Sequence, residues 1–113
     1  MRKQEQRNKV SRLLRASNRN RNAFRWSTSE TEEHIDMKFQ ICKQLKDWGH
    51  EFYTEAIFDG SGLRADVIDA DEGVVYEVVN YEGDESMRKK VKSYPLEVRF
   101  ISANDVFREE LLL

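Results

Sequence analysis

The sequence predicts one small α+β domain, a mixed sheet flanked by helices, with a basic arm at its N-terminal side. Apolar residues recur at helical spacing before Gly49, and at alternate positions in three short segments after it. A helical segment and one more strand follow, which gives the core order αβββαβ. At 113 residues the chain can bury one core but hardly two. We therefore expect an arm over residues 1–26 and a domain over residues 27–113.

A start signal and a stop signal predict the first helix of the domain. Ser29 is expected to cap it, with Glu32 as the capping-box partner, and Gly49 is a natural residue just past its end. His34 and Lys38 lie at the polar end of the helix's apolar stripe. The apolar face consists of Ile35, Phe39, Ile41, Cys42, Leu45 and Trp48.

After Gly49 the hydrophobic period changes from 3.6 to 2, and turn residues separate the segments. The expected elements are strands at 51–58, 62–69 and 73–80, a helix at 84–93, a strand at 96–102 and a last helix at 104–112. This order places helices on a small mixed sheet.

Composition excludes several classes of protein. Cys42 is the only cysteine, so an internal disulfide and a cysteine zinc site are both excluded. No apolar run approaches the roughly 20 residues that span a bilayer, and the basic N-terminus lacks the apolar stretch of a signal peptide. We expect a cytoplasmic protein with no membrane partner.

The net charge of −2 conceals a strong asymmetry. Residues 1–25 contain nine basic residues and one acid, whereas the remainder contains ten basic and twenty acidic residues. A basic arm on an acidic body suits a polyanion, because Arg and Lys displace counterions from phosphates. The candidate DNA-binding residues are Arg2, Lys3, Arg7, Lys9, Arg12, Arg15, Arg19, Arg21 and Arg25. A short amphipathic helix near 5–17 and a flexible linker after it are expected.

Two carboxylates stand out in the predicted hairpin. If Asp71 and Glu72 form its tip, Asp66 falls directly opposite Glu77, with β-carbons about 5 Å apart. Like charges at that distance repel unless a cation lies between them, and Mg²⁺ binds carboxylates together with waters. The alternative is a chance pair on a solvent-exposed hairpin. Against it, both residues lie in apolar strand sequence, where an unpaired carboxylate is costly to bury.

These residues resemble the PD-(D/E)XK nuclease superfamily. The likeness rests on the element order and on the Gly-x-Arg-x-Asp-Val strand at 62–67 followed by the Glu77 strand, and it covers about residues 31–102. Small archaeal-type Holliday junction resolvases are the nearest in look. The resemblance implies a restriction-endonuclease-like fold and a Mg²⁺- or Mn²⁺-dependent DNA endonuclease. Asp66 and Glu77 would hold the metal, and a metal-bound water would attack the phosphodiester.

One position departs from that family. Its lysine should stand two residues after the acid, where this chain has Val79. Lys38 is our first choice for a migrated catalytic lysine and Arg64 the second.

Other residues are candidates for accessory roles. Glu33 and His34 resemble the helix-borne acid or histidine that often completes such sites, although a surface or capping role is the more ordinary interpretation. Glu55, which should alternate with Tyr53 and Ile57, could reach the metal through water, or be a solvated edge carboxylate.

Two functions therefore remain open. The first is a structure-directed DNA nuclease, and the second is a catalytically inactive nuclease-fold protein that binds nucleic acid or a partner. A weaker third is a module whose arm contacts an acidic protein. The apolar end, Leu111-Leu112-Leu113, could pack in a homodimer.

Overall fold

The computed structural model describes residues 2–80 and 84–113. Within them the predicted core order αβββαβ is present. The elements are α1 (Lys3–Leu13), α2 (Glu32–Asp47), β1 (Phe52–Ile57), β2 (Arg64–Asp69), β3 (Val74–Val79), α3 (Asp84–Ser93) and β4 (Glu97–Ser102), with short 3₁₀ helices at Ala16–Asn18 and Glu109–Leu112. No described helix combines the length and the apolar character that crossing a membrane requires.

The four strands form one mixed sheet in the order β1-β2-β3-β4. Neighbours among the first three strands are antiparallel, and β4 runs parallel to β3 after the crossover through α3. In the β2–β3 hairpin, Asp69 faces Val74 and Val67 faces Tyr76. This is the register that the sequence predicts, because a tight turn with its tip at Asp71 and Glu72 leaves the strands little freedom to slip.

The sheet buries apolar side chains on both sides. Helix α2 covers one side, where Ile41 and Leu45 pack with Val67 and Tyr76. On the other side Ile68 and Val75 pack with residues from α1 and from the end of α3. The candidate site therefore lies in a sheet that is supported from two sides.

The N-terminal segment is not the loose arm that its charge suggested. Val10 and Leu14 are fully buried in the second core. The chain then follows the outer edge of β1, where Arg15 N donates to Ile57 O at 2.9 Å and Asn22 N to Phe52 O at 2.8 Å. An uncovered sheet edge exposes unpaired backbone groups, and this segment satisfies some of them. Burial of Val10 and Leu14 thus outweighs the solvation of the charged residues around them.

The predicted start of α2 is wrong, and its predicted end is correct. Thr31, rather than Ser29, caps α2 by accepting a hydrogen bond from His34 N at 3.2 Å. Glu30 N instead donates to Ser27 O, which makes a turn before the helix. At the far end Gly49 adopts a left-handed φ of 74°, as predicted for the residue that ends α2.

The last predicted helix, 104–112, is also wrong. Only a 3₁₀ turn, Glu109–Leu112, is present, and Leu112 is its only buried residue. A helix this short needs a buried face to be stable. The Leu112 carbonyl is bound by Tyr76 OH at 2.8 Å and by an Arg99 guanidinium nitrogen at 2.9 Å.

Candidate active site

Asp66 and Glu77 lie where β2 and β3 separate. The ladder between these strands ends at Val67 and Tyr76, and the next step of the same register places Asp66 opposite Glu77. There Asp66 N donates to Glu77 Oε2 at 3.1 Å, and Val78 N donates to Asp66 Oδ2 at 2.9 Å. The carboxylates thus take the place of ladder bonds and bring Asp66 and Glu77 into contact across the two strands.

Glu55, on β1, is a third acid in the same cross-strand row as Asp66 and Glu77. The β1–β2 register steps from Thr54 opposite Val67 to Ala56 opposite Ala65, so Glu55 falls opposite Asp66. Its φ is +49°, a left-handed conformation that costs a non-glycine residue about 1–2 kcal/mol. The expected alternation of Glu55 with Tyr53 and Ile57 is therefore wrong. Glu55 turns toward α2, whereas Tyr53 lies in the core on the other side of the sheet.

His34 projects from α2 onto the two acids' strands. Its Nε2 lies 2.8 Å from Val78 O and 3.4 Å from Asp66 Oδ2, and its Nδ1 lies 3.1 Å from Glu30 Oε2. The hydrogen bond to Asp66, against the opposing effect of burial, raises the pKa of His34 to about 9. At neutral pH an imidazolium therefore occupies the position between Asp66 and the Val78 carbonyl.

The two central carboxyls have opposite protonation tendencies. Glu77 is 3% exposed, and burial together with the negative charge of Asp66 raises its pKa to about 8. Burial also disfavours the charged form of Asp66, but hydrogen bonds from His34 and Glu77 outweigh it and lower the pKa of Asp66. At pH 7 Asp66 is thus ionised and Glu77 carries a proton.

Tyr94 holds the outer side of Glu77. Its hydroxyl donates to Glu77 Oε1, and it also lies 2.9 Å from the Arg64 carbonyl. Tyr94 stands at the end of α3, next to Pro95, and packs in the second core. This hydroxyl fixes the rotamer of Glu77 between the two strands.

Lys38 is buried close by, but it serves different acids. Its Nζ donates to Glu30 Oε1 at 3.0 Å and to Arg25 O at 2.9 Å, and it lies 3.4 Å from Glu55 Oε2. Within residues 2–80 and 84–113 it forms no ion pair with Asp66 or Glu77. Lys38 therefore neutralises the Glu30–Glu55 pair, while His34 serves Asp66.

The carboxylates open onto a cleft of about 470 Å³. Arg64 and Val79 line it together. Lys90, from α3, is the one lysine among the described residues around it. Glu33 is exposed on α2 and does not line it. The lining residues are His34, Leu63, Arg64, Asp66, Glu77, Val78, Val79, Asn80, Lys90 and Tyr94.

Sequence reasoning missed three members of this region. Glu30 precedes His34 by four residues and Lys38 by eight, which is a helical spacing. The spacing does not predict these contacts from sequence, because Glu30 lies before the residue that caps α2. Lys90 lies on α3 near two other lysines, a pattern typical of a solvated helix face. Tyr94 gave no signal beyond its place before a proline.

Oxygen atoms around Asp66 and Glu77 are the donors available to a metal ion at this site. In the described part of the chain no group of three or more His, Cys, Asp or Glu side chains has a metal-binding arrangement. Mg²⁺, however, commonly takes one or two carboxylates and completes its shell with waters. Asp66 Oδ2 and the Val78 carbonyl lie next to His34 Nε2, and Glu77 Oε2 lies across the strand at Asp66 N, so these residues supply oxygen donors of that kind. The donor set fits Mg²⁺ or Mn²⁺ if the imidazole gives way.

The nine basic residues of the N-terminal segment divide into two groups. Arg7 makes a two-pronged contact with Asp71, which Lys3 also approaches at 3.2 Å, and Arg21 approaches Glu51. Arg19 Nε donates to the Leu14 carbonyl. The other members are exposed and form no ion pair with a described residue: Arg2, Lys9, Arg12, Arg15 and Arg25.

Comparisons of the chain with family models, with curated proteins and with solved structures gave no match.

Proposed function

We propose that this chain is a Mg²⁺- or Mn²⁺-dependent DNA endonuclease built on a restriction-endonuclease-like core. The observation that carries the proposal is the meeting of Asp66 and Glu77 at the separation of β2 and β3, beside the Val78 carbonyl and at the wall of an open cleft. Buried carboxylates with opposed pKa shifts are typical of functional sites.

The pairing of two carboxyl groups supports a divalent cation in this place. Asp66 and Glu77 would repel each other if both were ionised, and the free protein avoids this because Glu77 is protonated and His34 is cationic. A divalent cation bound there would make water a strong nucleophile at neutral pH and polarise a phosphoryl oxygen. Binding it would require Glu77 to release its proton and His34 to leave the Val78 carbonyl.

Lys90 is the residue that we assign to the missing lysine's role. It lines the cleft with both carboxylates and with Val79, the position at which the family's lysine is expected. Its ammonium would neutralise charge on the phosphoryl group in the transition state. Lys38, our first choice from sequence, is fully buried between Glu30 and Glu55, and we assign it a structural role.

The resemblance to PD-(D/E)XK nucleases supports the same conclusion. The mixed sheet has three antiparallel strands followed by a parallel one, and α2 packs across it. DNA would be held by exposed arginines of the N-terminal segment, since Arg12, Arg15 and Arg25 are not engaged in ion pairs with described acids. Arg64 can add a phosphate contact at the cleft.

One observation favours the non-catalytic alternative. His34 Nε2 already satisfies Asp66 and the Val78 carbonyl, so the site is electrostatically complete in the absence of a metal. If no divalent cation displaces this ring, the domain would bind nucleic acid without cutting it.

Cleavage separates the two functions. Supercoiled plasmid and four-way junctions are incubated with the protein in Mg²⁺ or Mn²⁺, and Asp66→Asn is compared with Asp105→Asn, an exposed acid just after β4 that does not line the cleft. We expect cleavage by wild type and Asp105→Asn and none by Asp66→Asn. Equal cleavage by all three, or none by any, contradicts the enzyme assignment.

A further inference from the structure

Three aromatic side chains, two in the segment before α2 and one on α2, lie outside the lining of the cleft. Trp26 is 55% exposed and Phe39 is 47% exposed. Phe24 packs edge-on against Phe39, with ring centroids 5.3 Å apart and planes at 70°. We call Phe24, Trp26 and Phe39 the aromatic patch. Large aromatic side chains are mostly buried in folded domains, so the exposure of Trp26 and Phe39, with the half-buried Phe24 beside Phe39, indicates a binding surface.

The backbone that carries the aromatic patch is firmly held. Between Phe24 and Trp26, Arg25 N donates to Thr54 Oγ1 at 2.8 Å, and Arg25 O accepts from Lys38 Nζ at 2.9 Å. Both anchoring groups are buried. The rings therefore project from a fixed position, and less entropy is lost when a ligand orders them.

The aromatic patch is close to the proposed cleavage site. Lys38 and His34 share Glu30 as a partner, and they lie one turn apart on α2, a rise of about 6 Å. Lys38 Nζ also lies 5.9 Å from the Phe24 ring centroid. A strand that enters the cleft at His34 can therefore reach the rings within a few nucleotides.

Charge around the rings suits a polyanion. The exposed Arg25 lies between Phe24 and Trp26, and Lys43 Nζ lies 5.3 Å from the Phe39 ring centroid. Asp36, one turn before Phe39, is an exposed acid on the same helix. Cations next to aromatic rings suit single-stranded nucleic acid: the cations contact its phosphates, and its unpaired bases are free to stack on the rings. Bases in a duplex are already stacked on one another.

We propose that the aromatic patch binds unpaired bases, so that the substrate is a nucleic acid with a single-stranded segment beside the cleavage point. The inference extends the proposed nuclease function by naming its substrate class. The binding step itself requires no metal and no chemistry.

Tryptophan fluorescence tests this directly. In Trp48→Phe, Trp26 is the only tryptophan, and adding Asp66→Asn removes cleavage. We expect oligo(dT) to quench Trp26 emission, and a duplex of equal length to quench it far less. In a second protein that retains Trp48, Trp26→Ala with Phe39→Ala should weaken oligo(dT) binding at least tenfold, measured by anisotropy of a labelled oligonucleotide. Val106→Ala, which removes an exposed apolar residue elsewhere, should change neither value.

Two results would overturn the inference. One is wild-type oligo(dT) affinity in the double variant. The other is a wild-type dimer that the double variant converts to monomer in sedimentation, with no loss of oligo(dT) binding, since that would make the aromatic patch an interface between copies. A third result would contradict the nuclease proposal alone: wild type would not cleave DNA, while oligo(dT) would still quench Trp26 emission.

Discussion

Replacing Glu77 by glutamine should make the protein less sensitive to rising pH. Glutamine imitates the protonated carboxyl, which is the form that the folded site holds at pH 7. Its amide can still accept from Asp66 N and contact Tyr94. We therefore expect Glu77→Gln to fold normally and to differ from wild type mainly in how its free energy of unfolding depends on pH.

The size of the effect follows from the raised pKa. Glu77 has a pKa of about 8 in the folded protein and 4.5 as its ordinary value. The stability that its protonated form contributes is complete below pH 4.5 and is lost as the pH rises toward 8. The slope over this range is about 1.4 kcal/mol per pH unit. Between about pH 5 and pH 6.5, wild type should lose about 2 kcal/mol relative to Glu77→Gln.

That pH window is chosen because of His34. The pKa of His34 rises from 6.5 to about 9, so the stability it contributes is complete below pH 6.5 and is lost only above it. Urea unfolding of wild type, Glu77→Gln and Glu85→Gln, an exposed control on α3, gives the three profiles. Parallel profiles for wild type and Glu77→Gln would refute the protonation of Glu77 and the charge balance derived from it.

Three further predictions concern Lys90, Lys38 and Leu14. Lys90→Ala should reduce the cleavage rate by two orders of magnitude or more with little loss of DNA affinity, whereas Lys89→Ala should leave the rate unchanged. Val79→Lys should restore part of the cleavage rate in the Lys90→Ala background. Equal cleavage rates for the two alanine variants would show that Lys90 is not part of the site. Lys38→Met should lower the free energy of unfolding by about 3–5 kcal/mol, because it leaves Glu30 and Glu55 without their cation. Lys46→Met, on the exposed side of α2, should lower it by less than about 1 kcal/mol. A small loss of stability in both variants would mean that the fold does not need Lys38. Leu14→Ala should cost about 2–5 kcal/mol in thermal or urea unfolding, as expected for a fully buried leucine, and an unchanged stability would show that the N-terminal segment does not dock in solution.

The position of the two carboxylates could be predicted because it depends on local features. A short turn and an alternating pattern set the hairpin register, and the register alone places Asp66 opposite Glu77. The bounds of α3 and the end of α2 at Gly49 followed from equally local signals. The pattern could not reveal the left-handed Glu55, which reverses the side of the sheet that its carboxylate faces.

The partners of the cations could not be predicted, because they come from distant parts of the chain. Lys38 is neutralised by Glu30, before the helix, and by Glu55, on an adjacent strand. Lys90 reaches the cleft only because the parallel crossover brings α3 to the open end of the hairpin. The charge of residues 1–25 similarly concealed the burial of Val10 and Leu14, two apolar side chains that decide where that segment packs.

The proposed function depends on the binding of one divalent cation by Asp66 and Glu77. Mn²⁺ titration followed by electron paramagnetic resonance at about pH 8, where Glu77 begins to ionise, measures this without any substrate. We expect one Mn²⁺ site in wild type and in the control Asp105→Asn, and none in Asp66→Asn or Glu77→Gln. Equal Mn²⁺ binding by all four proteins, or none by wild type, would contradict the account.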